Sequence, residues 1–259
     1  MNAALEAEGL VKRYGARTAV ENLSFSVPQG AIYGVLGPNG AGKSSTLRMI
    51  VGVLRPTAGQ ITMLGGPISR DVMRRVGYLP EERGLYRGMS ARSAIAYLAR
   101  LKGTPAGKAF KRADQLLKDH GLEKVRGKKI KTLSKGMAQK VQVLGAIAHD
   151  PELIIFDEPF SGLDPVNQRV LEETIRAQAA AGRTILFSTH VMEHAERLCD
   201  RILLIARGKK AFEGAVPEAL ALAPSIAKVE TDGAYDLAAA LVPRGFNITP
   251  DGEEHGNRR

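Results

Sequence analysis

The chain has 259 residues, of which 44% are hydrophobic and 25% are charged. This composition predicts a folded domain with a full core, and it excludes a disordered chain or a small protein that depends on disulfides. No apolar run approaches the ~20 residues of a membrane helix, so we expect no membrane span. The first ten residues lack a cationic stretch followed by an apolar one, and Cys199 is the single cysteine. These features predict a protein of the reducing cytosol without a secretory signal.

The net charge of +10 is concentrated in the middle of the chain. Positions 100–140 hold thirteen basic and three acidic residues, a surplus equal to the net charge of the whole chain. Such a segment can be a solvated helical face, a surface that meets an anionic membrane leaflet, or a surface that binds nucleic acid. Net charge does not distinguish these three interpretations.

The first fifty residues predict two strands, a glycine-rich loop and a helix. Positions 19–27 alternate weakly, a turn follows at 28–30, and positions 31–36 are apolar. This pattern indicates strand, turn, strand. Over 43–54 apolar residues recur at a helical period, which predicts a helix that ends before Pro56.

The rest of the chain predicts a helical middle followed by a return to strands and helices. Three helices are expected over about 90–148, beginning at Ser90, at about 105 and at Ser134. Short apolar runs then alternate with helical patterns: strands at 153–156, 184–188 and 202–205, and helices at 165–181 and 191–198. This alternation predicts an α/β fold with a mostly parallel sheet, into which the helical middle is inserted.

The strongest local signal is a phosphate-binding loop before the first helix. The segment fits the pattern G-x-x-x-x-G-K-[ST] and reads Gly37-Pro38-Asn39-Gly40-Ala41-Gly42-Lys43-Ser44. Backbone N–H groups of such a loop and the following helix N-terminus bind phosphate oxygens. We expect Lys43 to reach the β and γ phosphates, Ser44 to ligate magnesium, and 40–45, which includes Ser45, to hold the phosphates. A glycine-rich turn without a ligand is the alternative, which the flanking strand and helix disfavour.

A second signal is a pair of carboxylates at the end of an apolar strand. Asp157 and Glu158 follow the run at 153–156, and ligands of open α/β sheets bind at the carboxyl ends of strands. We expect Asp157 to be a magnesium partner and Glu158 to hold the attacking water as general base. Alone, such a pair more often begins a loop. Together with the phosphate loop it predicts hydrolysis of a nucleotide.

Over about residues 5–214 the sequence resembles the nucleotide-binding subunits of ABC transporters. Leu133-Ser134-Lys135-Gly136-Met137 stands at the place of the family's LSGGQ signature, and Ser161-Gly162-Leu163-Asp164 matches its D-loop. His190 matches the switch histidine, and Tyr14 resembles the aromatic residue on which adenine stacks. The resemblance implies the ABC ATPase fold: a P-loop NTPase core with an N-terminal antiparallel β subdomain and a helical insertion at about 85–148. It also implies ATP and Mg²⁺ as ligands, catalytic roles for Lys43, Glu158 and His190, and contacts of Ser134, Gly136 and Asp164 with the nucleotide.

These motifs also have purely structural interpretations. Ser134 and Asp164 are good helix N-caps, and Pro165 suits a first helical turn. Tyr14 alone would be a half-buried strand aromatic, and His190 alone an edge residue. His190 and His194 are four positions apart, which suggests a metal pair, but no third ligand follows.

The sequence departs from the family pattern at two places. Glu81 stands where the family usually has glutamine, a residue near the magnesium ion, so Glu81 is a candidate metal ligand. Lys135 and Met137 replace glycine and glutamine of the signature. Both variants resemble export-type members of the family that include sodium-extrusion systems.

The resemblance further implies that two copies bind two ATP molecules between them. Closure of the two copies then drives separate transmembrane permease subunits, and the whole assembly is an exporter. Such a protein is cytoplasmic and peripheral on the inner face of the cell membrane, with no specific nucleic-acid partner. One alternative is a soluble ABC ATPase acting on nucleic acid or ribosomes, but those proteins usually carry tandem ATPase halves or a long coiled-coil insertion. Another is a regulator that does not hydrolyse ATP, against which Glu158 argues.

The end of the chain is less informative. We expect residues 1–214 to form the ATPase domain and residues 215–259 to form a short accessory segment. A strand at 227–231, a helix at 236–242 and a disordered tail at 249–259 are expected within that segment. The transported substrate is chosen mainly by the membrane subunits, so this chain does not predict it.

Overall fold

The computed structural model describes residues 2–222 apart from residue 83. The strand expected at 227–231, the helix expected at 236–242 and the disordered tail lie outside the described residues. The unit that contains the described residues continues to Leu222, beyond the boundary expected at 214. The assignment of 215–259 as an accessory segment stays a prediction.

Strands and helices alternate through most of the described chain. The first half contains β1 (Ala3–Tyr14), β2 (Arg17–Pro28), β3 (Ile32–Leu36), α1 (Lys43–Ile50), β4 (Ala58–Met63), β5 (Gly66–Pro67), α2 (Arg70–Arg74), β6 (Val76–Leu79), α3 (Ala91–Leu101) and α4 (Ala106–Asp119). Two short 3₁₀ helices follow, at Glu123–Val125 and Ile130–Thr132. The second half contains α5 (Lys135–Ile147), β7 (Leu153–Phe156), α6 (Pro165–Ala180), β8 (Thr184–Thr189), α7 (Met192–Leu198), β9 (Arg201–Ala206), β10 (Lys209–Ala215) and α8 (Val216–Leu222).

The strands form two sheets. Four strands make an antiparallel sheet in the order β2-β1-β4-β5, and six make a second sheet in the order β10-β9-β3-β8-β7-β6. In the second sheet only the pair β9 and β10 is antiparallel. Every residue of β3, β7 and β8 is buried, because helices cover both faces of a central parallel strand, and this explains their unbroken apolar runs. The predicted α/β fold is confirmed.

The helical middle consists of α3, α4 and α5, as predicted. Ser90 caps α3, since its Oγ accepts a hydrogen bond from the backbone N–H of Ser93. Arg92 of α3 holds Asp114 of α4 with two hydrogen bonds of 2.7 and 2.8 Å. None of the helices within the described residues is long and apolar enough to cross a membrane.

The first helix is shorter than its sequence pattern predicts. It ends at Ile50 instead of position 54, because Gly52 takes a φ of +73°. The backbone N–H of Gly52 then bonds to Met49 O at 3.1 Å, and that of Val53 bonds to Arg48 O at 2.9 Å. These two bonds satisfy the last carbonyls of the helix and reverse the chain.

Candidate functional site

The phosphate loop connects β3 to α1 and places Lys43 at the first helical position. Lys43 is 5% exposed, and its ammonium donates to Gly37 O at 2.8 Å and to Pro38 O at 3.3 Å. Gly42, the N-cap, has a φ of +109°, and a side chain there would meet Ala19 O at 2.6 Å. The loop therefore closes tightly around the lysine, and only glycine fits its last turn.

The tip of the loop faces open space. Pro38, Asn39 and Gly40 are exposed, while Ala41 is buried and Ser45 is half-buried. Gly40 has a φ of +78°, and a Cβ built there would meet no atom of the described chain within 4 Å. The N-terminus of α1 and the loop backbone are thus accessible to a phosphate group.

Asp157 lies at the carboxyl end of β7 and joins two elements of the site. Its Oδ1 accepts a hydrogen bond from Ser44 Oγ at 3.2 Å and one from Ser188 Oγ at 2.8 Å. Its Oδ2 is buried and has no hydrogen-bond partner in the described part of the chain. Burial raises the pKa of Asp157 above its usual value, although the two serine hydroxyls act in the opposite direction. A buried free carboxylate oxygen beside a serine hydroxyl is a donor set that suits Mg²⁺.

Glu158 lies between Lys43 of the phosphate loop and His190. Its Oε1 is 3.2 Å from Lys43 Nζ, and its Oε2 is 3.0 Å from His190 Nδ1. The Glu158 side chain is 9% exposed, whereas that of His190 is 48% exposed. Glu158 has a φ of +46°, and its backbone N–H donates to Ser188 Oγ at 2.8 Å. The surroundings hold this sparsely populated backbone conformation in place.

The signature and D-loop residues form a separate cluster. Ser134 Oγ accepts from Met137 N at 3.2 Å and caps α5, and Asp164 Oδ1 accepts from Asn167 N at 3.0 Å and caps α6. A Cβ built on Gly136 would meet Asn167 Nδ2 at 2.6 Å, so the two helix starts touch. No hydrogen bond or ion pair joins Ser134, Gly136 or Asp164 to positions 37–45 of the described structure.

Two further predicted site residues, Tyr14 and Glu81, are exposed. Tyr14 ends β1 and is 47% exposed, with Lys12 Nζ 5.3 Å from its ring centroid. Glu81 is exposed and makes no hydrogen bond to Ser44 or Asp157 within the described residues. Burial and the charges of Asp157 and Glu81 raise the pKa of Tyr78 to about 12. Glu81 follows the end of β6 by two residues, and Leu79 O of β6 accepts the backbone N–H of Asp157 at 2.9 Å.

Sequence reasoning missed one residue that holds the site together. Ser188 donates to Asp157 and accepts from the backbone of Glu158, so it links both carboxylate residues. The sequence signal was a serine at the end of an apolar run, directly before Thr189 and His190. In the structure its hydroxyl belongs to a fully buried residue. A buried polar group needs a hydrogen-bond partner, and in a parallel sheet the end of the neighbouring strand supplies one.

Comparison with known proteins agrees with this geometry. The family model described as ABC transporter matches residues 20–161. An uncharacterized ABC transporter ATP-binding protein of Bacillus subtilis, YhaQ, is 43% identical over 214 residues, which are 83% of this chain and 72% of that protein. Nod factor export ATP-binding protein I of Ralstonia nicotianae is 37% identical over 254 residues, which are 96% of this chain and 79% of that protein.

A solved structure has the same fold. Described as the ATP-binding subunit of an ABC transporter, it matches with a TM-score of 0.76 at 33% identity and covers 83% of this chain and 91% of its own. The predicted ABC ATPase fold is confirmed by this match. The chain belongs to the ABC transporter family as an ATP-binding subunit, an ATPase whose reaction is coupled to transport.

Proposed function

We propose that two copies of this chain close around two ATP molecules, and that closure drives a membrane permease that exports its substrate. The observation that carries the dimer is the separation of the signature cluster from the phosphate loop. Ser134 caps α5, Gly136 packs against Asn167 at the start of α6, and neither makes a hydrogen bond to positions 37–45 among the described residues. A γ-phosphate on the loop therefore needs the signature of a second copy. The similarity to a Nod factor export protein supports the direction of transport.

The chemistry is assigned to three side chains. Lys43 leaves the carbonyls of Gly37 and Pro38 and binds the β and γ phosphates, which are stronger acceptors for its ammonium. Glu158, released from its ion pair with Lys43, accepts a proton from the attacking water. His190 keeps its hydrogen bond to Oε2 and fixes the orientation of that carboxylate. Adenine stacks on the exposed ring of Tyr14.

Ser44 and Asp157 are proposed as the magnesium ligands, with Glu81 as a third. The unpartnered Oδ2 of Asp157 and the hydroxyl of Ser44 support the first two. Support for Glu81 is its position two residues after Leu79, whose O accepts the backbone N–H of Asp157 at 2.9 Å. When bound, the ion neutralises charge on the β and γ phosphates.

We place the protein on the cytoplasmic face of the membrane, with the permease docked on the helical insertion. Of the insertion, the proposed ATP chemistry uses only the signature at the start of α5, and the remaining helix α4 exposes Lys108, Lys111 and Lys118. A cation near an anionic leaflet gains about 1 kcal/mol. The same exposed charges favour a second candidate, a soluble ATPase that acts on nucleic acid or ribosomes.

Purification from detergent-solubilised membranes tests the proposed function. We expect a permease with membrane-spanning segments to co-purify and to stimulate ATP hydrolysis. A variant with Arg87→Gln, Lys108→Gln and Lys111→Gln should weaken that assembly and keep its basal ATPase activity.

The matched control removes three exposed basic residues outside the insertion, Arg70→Gln, Arg207→Gln and Lys209→Gln. It should assemble like the unmodified protein. If no membrane protein co-purifies and RNA or DNA raises ATP turnover, the nucleic-acid candidate replaces the exporter.

A further inference from the structure

His194 is a buried histidine of α7 whose ring contacts both segments that carry the Glu158–His190 pair. Its side chain is 5% exposed. The ring centroid lies 4.1 Å from that of Phe160, at an interplanar angle of 31°. Its Nδ1 lies 3.3 Å from Thr189 Oγ1. Phe160 is two residues after Glu158, and Thr189 directly precedes His190.

The contact with Thr189 is a hydrogen bond between two buried groups. Thr189 Oγ1 accepts a hydrogen bond from the backbone N–H of Val191 at 3.1 Å, which fixes the side chain of Thr189 beside His194 Nδ1. Burial and the charge of Arg197 lower the pKa of His194, against the charges of Glu172, Glu193 and Glu158, which raise it. A neutral imidazole can share one hydrogen bond with a hydroxyl through Nδ1, as acceptor or as donor according to its tautomer. In either direction this hydrogen bond links the ring to Thr189.

The contact with Phe160 fixes the other segment. Phe160 also packs edge to face against Phe187 of β8, with ring centroids 5.9 Å apart at 78°. It is thus held between His194 on one side and the sheet on the other. Phe160 lies two residues after Glu158, whose backbone has a φ of +46°. Such a conformation persists only where neighbouring groups restrain it.

We propose that His194 is a positioning residue for ATP hydrolysis. Through Phe160 and Thr189 it keeps the Glu158 carboxylate and the His190 imidazole at their hydrogen-bond distance of 3.0 Å. The four-residue spacing of His190 and His194 then has a role without a metal ion, because Nδ1 of His194 is directed at Thr189. His194 contributes to turnover and makes no contact with the nucleotide.

Three variants separate the contacts. His194→Phe keeps a ring against Phe160 and removes the hydrogen bond to Thr189. Thr189→Val removes the hydroxyl, and Thr189→Ser keeps it. We expect His194→Phe to lower kcat roughly fivefold, the loss of about one neutral hydrogen bond. Thr189→Val should lower kcat at least as much, because it also removes the acceptor for the backbone N–H of Val191. Thr189→Ser should restore kcat, and the affinity for ATP should stay unchanged in all three.

A double-mutant cycle distinguishes positioning from a general loss of structure. In a His190→Gln background the pair that His194 positions is already broken, so His194→Phe should change single-turnover hydrolysis less than twofold. A merely structural role predicts the same fivefold loss in both backgrounds. His120→Phe, a half-buried histidine at the end of α4, is the matched control and should leave kcat unchanged.

Three results would overturn the proposal. They are an unchanged kcat in His194→Phe, an equal loss in both backgrounds, and a raised KM with unchanged kcat. If His194→Phe does not fold, the comparison of Thr189→Val with Thr189→Ser decides the question. Equal turnover in those two would then refute the proposal, and a loss confined to Thr189→Val would support it.

Discussion

At the scale of residues, the site depends on buried polar groups that satisfy one another. Lys43 and Glu158 are both almost fully buried and lie 3.2 Å apart. Removing one member of such a pair leaves the other charge without compensation. Ser188 Oγ donates to Asp157 and accepts from the backbone N–H of Glu158. Removing this hydroxyl would take a hydrogen-bond partner from both groups. The motif residues are therefore coupled in stability as well as in chemistry.

Lys43→Ala should abolish most of the ATPase activity. The variant lacks the one mobile cation of the phosphate loop, and we expect kcat/KM to fall by roughly 100-fold, the loss of hydrogen bonds to charged phosphates. Steady-state hydrolysis and binding of a fluorescent ATP analogue measure the effect. Lys209→Ala, which removes an exposed lysine, is the control and should match the unmodified protein. Undiminished turnover of Lys43→Ala would remove Lys43 from the site.

Glu81→Gln should alter the magnesium dependence of hydrolysis and retain nucleotide binding. A carboxylate is a better ligand for Mg²⁺ than an amide oxygen, but its charge also repels the γ-phosphate. We expect the half-saturating magnesium concentration to rise in this variant. Glu82→Gln changes the neighbouring exposed carboxylate and should titrate like the unmodified protein. Identical titrations for Glu81→Gln and Glu82→Gln would make Glu81 an ordinary loop residue.

Local motifs were predictable from the sequence because their spacing is set by one turn or one strand end. The loop before α1 and the carboxylates after β7 are of this kind. The contact of Ser44 with Asp157 spans two elements, and the bridge made by Ser188 depends on which strand lies beside β7. Such contacts follow from strand order, which periodicity does not encode. The contacts of Ser134 and Asp164 with the nucleotide stay a prediction.

At the scale of elements, the helix beginnings were predicted within about one residue, whereas the end of α1 was not. Ser90, Ser134 and Asp164 cap their helices with side-chain oxygens, which the sequence signals directly. The end of α1 depends on the backbone conformation of Gly52, and the apolar pattern continues past it. Strands β4, β5 and β6 were not individually predicted, since they are short and β4 is half exposed.

His149 joins the helical insertion to the central sheet and makes stability depend on pH. It follows α5, and its Nε2 lies 3.2 Å from Val76 O of β6. Its Nδ1 is buried without a hydrogen-bond partner in the described residues. Burial, and next the charge of Lys102, lower the pKa of His149 from 6.5 to about 4. The folded protein therefore resists protonation of this ring.

The free energy of unfolding should fall as the pH drops from 6.5 toward 4. The unfolded chain binds a proton in this range while the folded chain does not, so stability is complete above pH 6.5. The loss from His149 amounts to about 2 kcal/mol at pH 5. Urea unfolding at pH 7.5 and pH 5 measures it. His149→Gln keeps a donor for Val76 O and does not titrate. Between these two pH values its free energy of unfolding should therefore fall about 2 kcal/mol less than that of the unmodified protein. An equal fall in both proteins would contradict the assignment.

At the scale of the whole described unit, the residues predicted to act in hydrolysis lie at the ends of the parallel strands. The signature lies in the helical insertion. β3, β7 and β8 end beside one another and bring together Lys43, Asp157, Glu158 and His190. The signature segment begins α5 and packs against the start of α6. On the proposed function, one copy then supplies the phosphate-loop half of each site and a second copy supplies the signature half.

The most direct test of the account is the oligomeric state of Glu158→Gln in ATP. Glutamine keeps the shape of the carboxylate and loses its basicity, so the variant should bind ATP, hydrolyse it far more slowly and accumulate as a dimer. Size-exclusion chromatography with light scattering measures the mass with Mg·ATP and without it, and Glu193→Gln, an exposed carboxylate, serves as the control. We expect an ATP-dependent dimer for Glu158→Gln alone. A variant that stays monomeric with bound ATP, or that hydrolyses ATP at the unmodified rate, would contradict the account.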